Sequence, residues 1–215
     1  SYARASYLRE IYGDYPGAIE AMKLAVDAGV ASDESTEWCR VQLGHLYENS
    51  GDNKNAEMNY TIALDNRKNY AYALAGMARI ALSNKNYDKA INYYKQALVN
   101  DFSFKEELVD VYQLTGQKDK ATVISKTVID EMNKNAASAA SDENIGHYAD
   151  RELAYAYLKI NEVDKALDHA LAEYNRRPKN IDANETLAWV YYQKGEYAKD
   201  KQQKSCPPLQ GRVNL

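Results

Sequence analysis

The stretch that decides the fold is RVQLGHLYENSGDNKNAEMNYTIAL, residues 40–64. Apolar and small residues recur in it at helical spacing on both sides of the pair Gly51-Asp52. Those before the pair are Leu43, Gly44 and Tyr47, and those after it are Ala56, Tyr60 and Ala63. A small residue such as Gly44 allows two helices to cross closely, and Gly-Asp favours a tight turn between them. The stretch therefore predicts two packed helices joined by a short turn.

The same pattern recurs along the chain. The small residue that opens the second helix of each unit stands at Ala18, Ala56, Ala90, Ala121 and Ala166, at spacings of 38, 34, 31 and 45 residues. This pattern resembles the tetratricopeptide repeat (TPR), whose period is about 34 residues. The run from Tyr174 to Pro178, followed by Leu187-Ala188-Trp189, further resembles bacterial multi-repeat TPR proteins of unassigned role.

The resemblance implies an all-α fold, a right-handed α-solenoid of antiparallel helix pairs with about five repeats and a C-terminal half-repeat. We expect a single solenoid over residues 1–197 and a non-repeat tail over residues 198–215. The predicted units span about residues 2–30, 36–66, 70–100, 103–132, 147–178 and 181–197. Within the fourth unit, Ser103-x-x-Glu106 predicts a capping box at the start of a helix.

Composition and motifs disfavour several classes of function. A net charge of -4 and a pI near 5.5 argue against a general nucleic-acid-binding protein, which needs clustered Lys and Arg. No apolar run reaches the roughly 20 residues of a membrane span. The two cysteines and three histidines lack metal-ligand spacing, and no glycine-rich phosphate loop is present. We therefore predict a protein that is not an enzyme and that has no cofactor and no metal site.

The resemblance also predicts where a partner binds, because the first helices of TPR units line a concave groove. Residues that follow the packing positions are rotated by about 100° toward that groove. With the aromatic residues one turn earlier, this rule predicts a groove lined by Trp38, Val41, His45, Tyr72, Arg79, Arg151, Tyr155, Trp189 and Tyr192. The rule also reaches Glu48, on the same stripe as His45. The clamp that some TPR domains use for acidic chaperone tails needs Lys or Arg with Asn. It is disfavoured here, because Val41, His45, Ala75 and Arg79 occupy the corresponding positions.

The predicted function is a protein–protein interaction scaffold that binds a peptide or helix of a partner protein in its groove. The alternative is a structural subunit that forms a homodimer through its C-terminal end. There, Asp200 stands where a repeat would have alanine, so Leu187 and Tyr191 are expected to be partly uncovered. The chain begins at Ser1 without methionine. The compartment therefore stays open between the cytoplasm and the bacterial envelope.

Overall fold

Helices make up most of the chain. A computed structural model describes residues 1–140 and 148–195, and these ranges contain eleven α-helices and no β-strand. The helices are α1 (Tyr2–Ile11), α2 (Tyr15–Asp27), α3 (Glu34–Asn49), α4 (Asn53–Asn66), α5 (Ala71–Ser83), α6 (Tyr87–Ala97), α7 (Lys105–Leu114), α8 (Lys118–Ala140), α9 (Asp150–Lys159), α10 (Val163–Arg176) and α11 (Ile181–Lys194). The predicted all-α class is confirmed. None of the helices in the described ranges has both the length and the apolar composition to cross a membrane.

The chain divides into two compact units, Ser1–Lys118 and Asp119–Leu215. In the first unit, α1 packs on α2, α3 on α4 and α5 on α6, and each pair contacts the next pair along the chain. In the second unit, α9 packs on α10, and α11 contacts both of them. The boundaries of the six predicted units stay a prediction, and the predicted tail at 198–215 lies outside the described residues.

The turns within the helix pairs of the first unit are built alike. Asp14, Asp52 and Asn86 cap α2, α4 and α6 by accepting hydrogen bonds from backbone N–H groups three residues later, at 3.0, 3.1 and 3.2 Å. The residue before the first two caps is a glycine with φ of 79° or 84°, in the left-handed region that glycine adopts without strain. A left-handed residue followed by a side-chain cap therefore ends one helix and starts its partner.

The helix start at α7 differs from the prediction. The residues from Phe102 to Phe104 form a short 3-10 turn, and α7 begins at Lys105 without a side-chain cap from Phe104. The predicted capping box at Ser103 is therefore wrong. Asp101 accepts a hydrogen bond from the Ser103 backbone N–H at 2.9 Å instead, so an Asx-type turn precedes the helix.

The Tyr60 ring holds three helices of the first unit together. It projects from α4, is completely buried, and lies against Gly44 of α3 and Gly76 of α5. A Cβ atom added at Gly44 would lie 2.5 Å from Tyr60 Cε1, and one added at Gly76 would lie 2.6 Å from the same atom. Both helices can approach the ring this closely only because these two positions carry no side chain.

Alanines play the corresponding part in the second unit. Ala154, Ala166 and Ala170 are fully buried and bring α9 and α10 close together. Leu187 of α11 packs into the same cluster and is 1% exposed, so the expectation that it is partly uncovered is wrong. It packs against residues of α9 and α10, whereas Tyr191 is half-buried.

The contact between Gly44 and Tyr60 can be tested by adding one methyl group. Gly44→Ala improves helix propensity by up to about 1 kcal/mol but forces Cβ into the ring, and overpacking of this kind costs about 1–3 kcal/mol. We expect a net loss of roughly 1–2 kcal/mol in the free energy of unfolding, measured by urea denaturation.

A matched control uses Asn92→Ala, which changes an exposed position of helix α6. It should alter the free energy of unfolding by less than about 0.5 kcal/mol. Equal or greater stability of Gly44→Ala relative to the wild type would contradict the close packing described for Tyr60.

Candidate partner-binding surface

Helices α3 and α5 share a surface. Besides its partner α4, α3 contacts α5 directly, although the two are separated by α4 in the chain. In the second unit, α9 contacts α11 in the same way. Two surfaces are therefore formed by helices of the kind that the repeat pattern predicts to face a partner. We refer to them as the α3–α5 face, with Trp38, His45, Glu48, Tyr72 and Arg79, and the α9–α11 face, with Arg151, Tyr155, Trp189 and Tyr192.

A hydrogen-bonded cluster joins the two helices of the α3–α5 face. Arg79 Nε of α5 donates to both carboxylate oxygens of Glu48 on α3, at 2.9 and 3.1 Å. The Tyr60 hydroxyl donates to Glu48 Oε2 at 2.8 Å and accepts from Arg79 Nη2 at 3.2 Å. The guanidinium also lies over the Tyr60 ring, 5.8 Å from its centroid. Charge-assisted hydrogen bonds of this kind fix the direction of an arginine side chain.

His45 is the fourth member of this cluster. Arg79 Nη2 contacts His45 Nε2, and because arginine can only donate, this ring nitrogen must accept the hydrogen bond. The imidazole is therefore neutral. Burial is the main cause that lowers its pKa to about 4, and the positive charge of Arg79 lowers it further against the opposing effect of Glu48.

Two buried tyrosines, Tyr60 of α4 and Tyr94 of α6, keep their hydroxyl groups protonated. Burial raises the pKa of Tyr60 well above its ordinary value, so its hydroxyl keeps its proton and remains a donor to Glu48. Burial likewise raises the pKa of Tyr94 to about 12. Both rings are buried, and both carry their hydroxyl groups in the protonated form at any physiological pH.

Aromatic rings with large exposed surfaces flank the cluster. Trp38 of α3 is 42% exposed, and Tyr72 of α5 is 41% exposed. The Tyr72 ring is held edge-on by Tyr70, at a centroid distance of 5.6 Å, and by Phe104, at 5.7 Å. Its orientation is thus set by its neighbours, while much of the ring remains in contact with water.

The α9–α11 face has a stacked aromatic pair. Trp189 and Tyr192 lie three residues apart on α11, and their rings are stacked at a centroid distance of 5.3 Å and an interplanar angle of 16°. They are 46% and 49% exposed. Arg151 of α9 lies 4.0 Å from the Asp182 carboxylate, and the Tyr155 hydroxyl lies 3.4 Å from Thr186 Oγ1. These contacts connect α9 with α11.

One nominated residue is placed in the core. Val41 is 1% exposed and packs against Tyr60 and Ala73, within the cluster formed by α3, α4 and α5. A partner cannot reach it, so we remove it from the proposed surface. The rotation rule fails at Val41 because α5 covers this part of α3, whereas His45 and Glu48, one and two turns further, remain accessible.

The rotation rule reaches Glu48, which stands three residues after His45 on the same helical stripe, but it leaves out Tyr60, although Tyr60 belongs to the cluster. Tyr60 follows the packing pattern of a core residue, and no pattern in the sequence indicates that its hydroxyl reaches a carboxylate of the preceding helix. In the part of the chain that the structure describes, no group of His, Cys, Asp and Glu residues is arranged to hold a metal ion.

The comparisons with known proteins agree with this architecture. Residues 41–101 match the family model described as tetratricopeptide repeat. None of the curated proteins matches the sequence significantly. A tetratricopeptide repeat protein from Parabacteroides merdae has a similar structure, with a TM-score of 0.57 at 17% identity, covering 94% of this chain and 75% of that one.

Two further solved structures share the fold. TTC0263, a thermophilic TPR protein of Thermus thermophilus, gives a TM-score of 0.58 at 18% identity over 89% of this chain and 97% of that chain. A chain of the APC/C hetero-tetramer Cut9–Hcn1 gives 0.53 at 18% identity over 88% of this chain and 35% of that chain. Residues 41–101 therefore match a tetratricopeptide repeat, and the chain shares the α-solenoid fold of TPR proteins, as its sequence pattern predicts.

The half-buried, neutral imidazole of His45 predicts a pH-dependent stability. The unfolded chain protonates His45 near pH 6.5, but the folded chain does so only near pH 4. Between these values the unfolded state binds more protons, so this contribution is present above pH 6.5 and is lost as the pH falls toward 4. From pH 7 to pH 5 we expect a loss of roughly 1–2 kcal/mol in the free energy of unfolding from this residue.

The measurement is urea denaturation of the wild type and of His45→Gln at both pH values. Other groups titrate in this range as well, so the difference between the two proteins isolates the imidazole. His45→Gln should lose less stability on acidification than the wild type does. An identical loss in both proteins would contradict the burial of a neutral imidazole beside Arg79.

Proposed function

We propose that the chain is a protein–protein interaction scaffold whose α3–α5 and α9–α11 faces each bind a peptide or helix of a partner protein. The observation that carries the proposal is the exposure of Trp38, Tyr72, Trp189 and Tyr192 on these helices, at 41–49% of each residue. Trp and Tyr contribute most often to the binding energy of protein interfaces, because each buries a large area while fixing only two side-chain torsions.

The Arg79 cluster supports the same function. Its hydrogen bonds to Glu48 and Tyr60 hold the guanidinium in place before any partner arrives. Its Nη1 group makes no hydrogen bond to the described residues, so this donor is available to a carbonyl or carboxylate of a partner. A side chain that is already ordered loses little entropy on binding, and this strengthens the contacts it makes.

The contacts of the most enzyme-like residues favour binding over catalysis. The most enzyme-like pair is His169 and Asp150, with Nδ1 of the imidazole 2.8 Å from Oδ1 of the carboxylate. The Asp150 carboxylate also binds Arg176, and the imidazole is stacked on Tyr157 at a centroid distance of 5.4 Å. These contacts link α9 to α10, and they support a structural role for the pair rather than the role of a general base.

Self-association through the C-terminal end is the less favoured function. Its main argument was that Leu187 and Tyr191 are uncovered, but Leu187 is buried against α9 and α10. Ile181 at the start of α11 is broadly exposed, and so is the stacked pair Trp189 and Tyr192. Because Trp189 and Tyr192 belong to the α9–α11 face, we assign them to the surface that binds the partner.

The proposal is tested by substituting the exposed tryptophan of each face. Wild type, Trp38→Ala and Trp189→Ala are immobilised and used to capture proteins from a lysate of the source organism. Interface tryptophans that dominate binding contribute about 2 kcal/mol or more, which corresponds to a loss of roughly 30-fold in affinity. We expect specific partners to be captured by the wild type and to be strongly depleted on at least one of the two variants.

Met58→Ala is the matched control, because Met58 is an equally exposed apolar residue but lies on α4, outside both faces. It should capture the same proteins as the wild type. Circular dichroism verifies that all the variants are folded. Capture that is unchanged by Trp38→Ala and Trp189→Ala, or that is reduced equally by Met58→Ala, would contradict binding at the two faces.

A further inference from the structure

A surface cavity of about 620 Å³ lies in the first unit at the loops that precede α3, α5 and α7. It is lined by Ser32, by residues 66–72, and by Asn100 and Asp101. Tyr72 lines this cavity and also belongs to the α3–α5 face, so the cavity adjoins that face. A partner segment on that face would therefore place a side chain within reach of the cavity.

Three tyrosines of the first unit place their hydroxyl groups beside carboxylates, and Tyr60 and Tyr70 donate hydrogen bonds to theirs. Two of these pairs are completed by an arginine. In the first, Tyr60 donates to Glu48, and Arg79 binds Glu48 at 2.9 Å while lying over the Tyr60 ring. Tyrosine, carboxylate and guanidinium thus form a group in which the cation meets both the carboxylate and the aromatic face.

The second group lines the cavity itself. Tyr70 donates to Glu34 Oε1 at 2.8 Å, and Arg67 Nη2 lies 2.8 Å from Glu34 Oε2. The guanidinium of Arg67 lies over the Tyr70 ring, 5.4 Å from its centroid. This arrangement repeats the one at Tyr60, and Glu34 belongs to α3, as Glu48 does.

The third pair has no arginine. The Tyr72 hydroxyl lies beside the Asp101 carboxylate, which accepts a hydrogen bond from the Ser103 backbone N–H at 2.9 Å. Hydrogen bonding to Ser103 is the main cause that lowers the pKa of Asp101, so the carboxylate is charged at neutral pH. Within the described residues no cation forms an ion pair with it. Lys68 also lines the cavity, but its exposed side chain does not pair with Asp101.

From this comparison we infer that Tyr72 and Asp101 form a binding site for an arginine side chain of the partner polypeptide. The guanidinium takes the place that Arg67 and Arg79 occupy in the other two groups, with its N–H groups on the carboxylate and its plane against the exposed Tyr72 ring. The inference rests on the proposed function, because it names a side chain of the partner held by the α3–α5 face.

Edge-on contacts from Tyr70 and Phe104 hold the Tyr72 ring in the orientation required. The hydrogen bond from Ser103 fixes the carboxylate. The site is therefore formed in the free protein, and binding needs no rearrangement of the loops. Lysine would reach the carboxylate as well, but its ammonium lacks the planar fork that suits simultaneous contact with a carboxylate and a ring, so arginine should bind more tightly.

The site is tested without knowledge of the natural partner. The probe is N-acetyl-arginine amide, titrated into the ¹⁵N-labelled full chain and followed by NMR chemical shifts. N-acetyl-citrulline amide has nearly the same shape but no charge, and it serves as the matched probe. We expect saturable shifts at residues 66–72 and 100–103 with the arginine compound and an affinity at least about fivefold lower for the citrulline compound.

Variants separate the two halves of the site. Asp101→Asn removes the charge and keeps the shape, and Tyr72→Leu removes the ring and keeps the carboxylate. Each should weaken binding of the arginine probe by about fivefold. The control Asp65→Asn removes an exposed carboxylate of α4 that does not line the cavity, and it should leave the affinity within about twofold.

Equal shifts with both probes, shifts spread over other surface carboxylates, or unchanged affinity in Asp101→Asn or Tyr72→Leu would each overturn the inference. Such a result is distinct from failure of the proposed function. If partners are still captured in a manner that depends on Trp38 while the arginine probe does not bind, the α3–α5 face stands and only the arginine site is lost.

Discussion

The close approach of Tyr60 to two glycines is the constraint on which the first unit depends. Because Gly44 and Gly76 have no side chains, α3 and α5 both come within van der Waals distance of one ring from α4. This proximity brings the outer stripes of α3 and α5 side by side, and it lets the Tyr60 hydroxyl emerge beside Glu48 and Arg79. The packing of Tyr60 against the two glycines thereby positions the polar groups of the surface.

The polar cluster in turn explains how charged groups are accommodated at a half-buried position. Removing a guanidinium or a carboxylate from water is costly unless each finds partners that replace its hydration. Arg79 and Glu48 satisfy each other, and Tyr60 supplies one further donor and acceptor together with an aromatic face. The same combination of a tyrosine, a carboxylate and an arginine recurs at Tyr70, Glu34 and Arg67.

Much of the fold follows from the sequence because its signals are local. The repeated small residues, the Gly-Asp turns and the helical periodicity predict the all-α class of the fold, and the turn at Gly51-Asp52 forms with Asp52 as the helix cap. These properties depend on spacing within one helix or on two helices that are neighbours in the chain.

The features that the sequence did not predict depend on three helices at once. Val41 is buried because α5 covers it, and Leu187 is buried because α11 packs on α9 and α10 together. The capping box expected at Ser103 gives way to Asp101, whose carboxylate is engaged by Tyr72 from a preceding helix. The rotation rule gives the direction of a side chain on its own helix. It contains no information on the position of a third helix, so it cannot distinguish an accessible residue from a covered one.

The two faces also differ in how their exposed aromatic residues are ordered, and this bears on how they bind. Tyr72 is braced by rings from other elements, whereas Trp189 and Tyr192 brace each other on one helix. A ring held by its neighbours presents a fixed surface, and its binding loses little side-chain entropy. A pair stacked on one helix is ordered only by its own two members. Under the proposed function, the α3–α5 face therefore offers a partner the more rigid aromatic surface of the two.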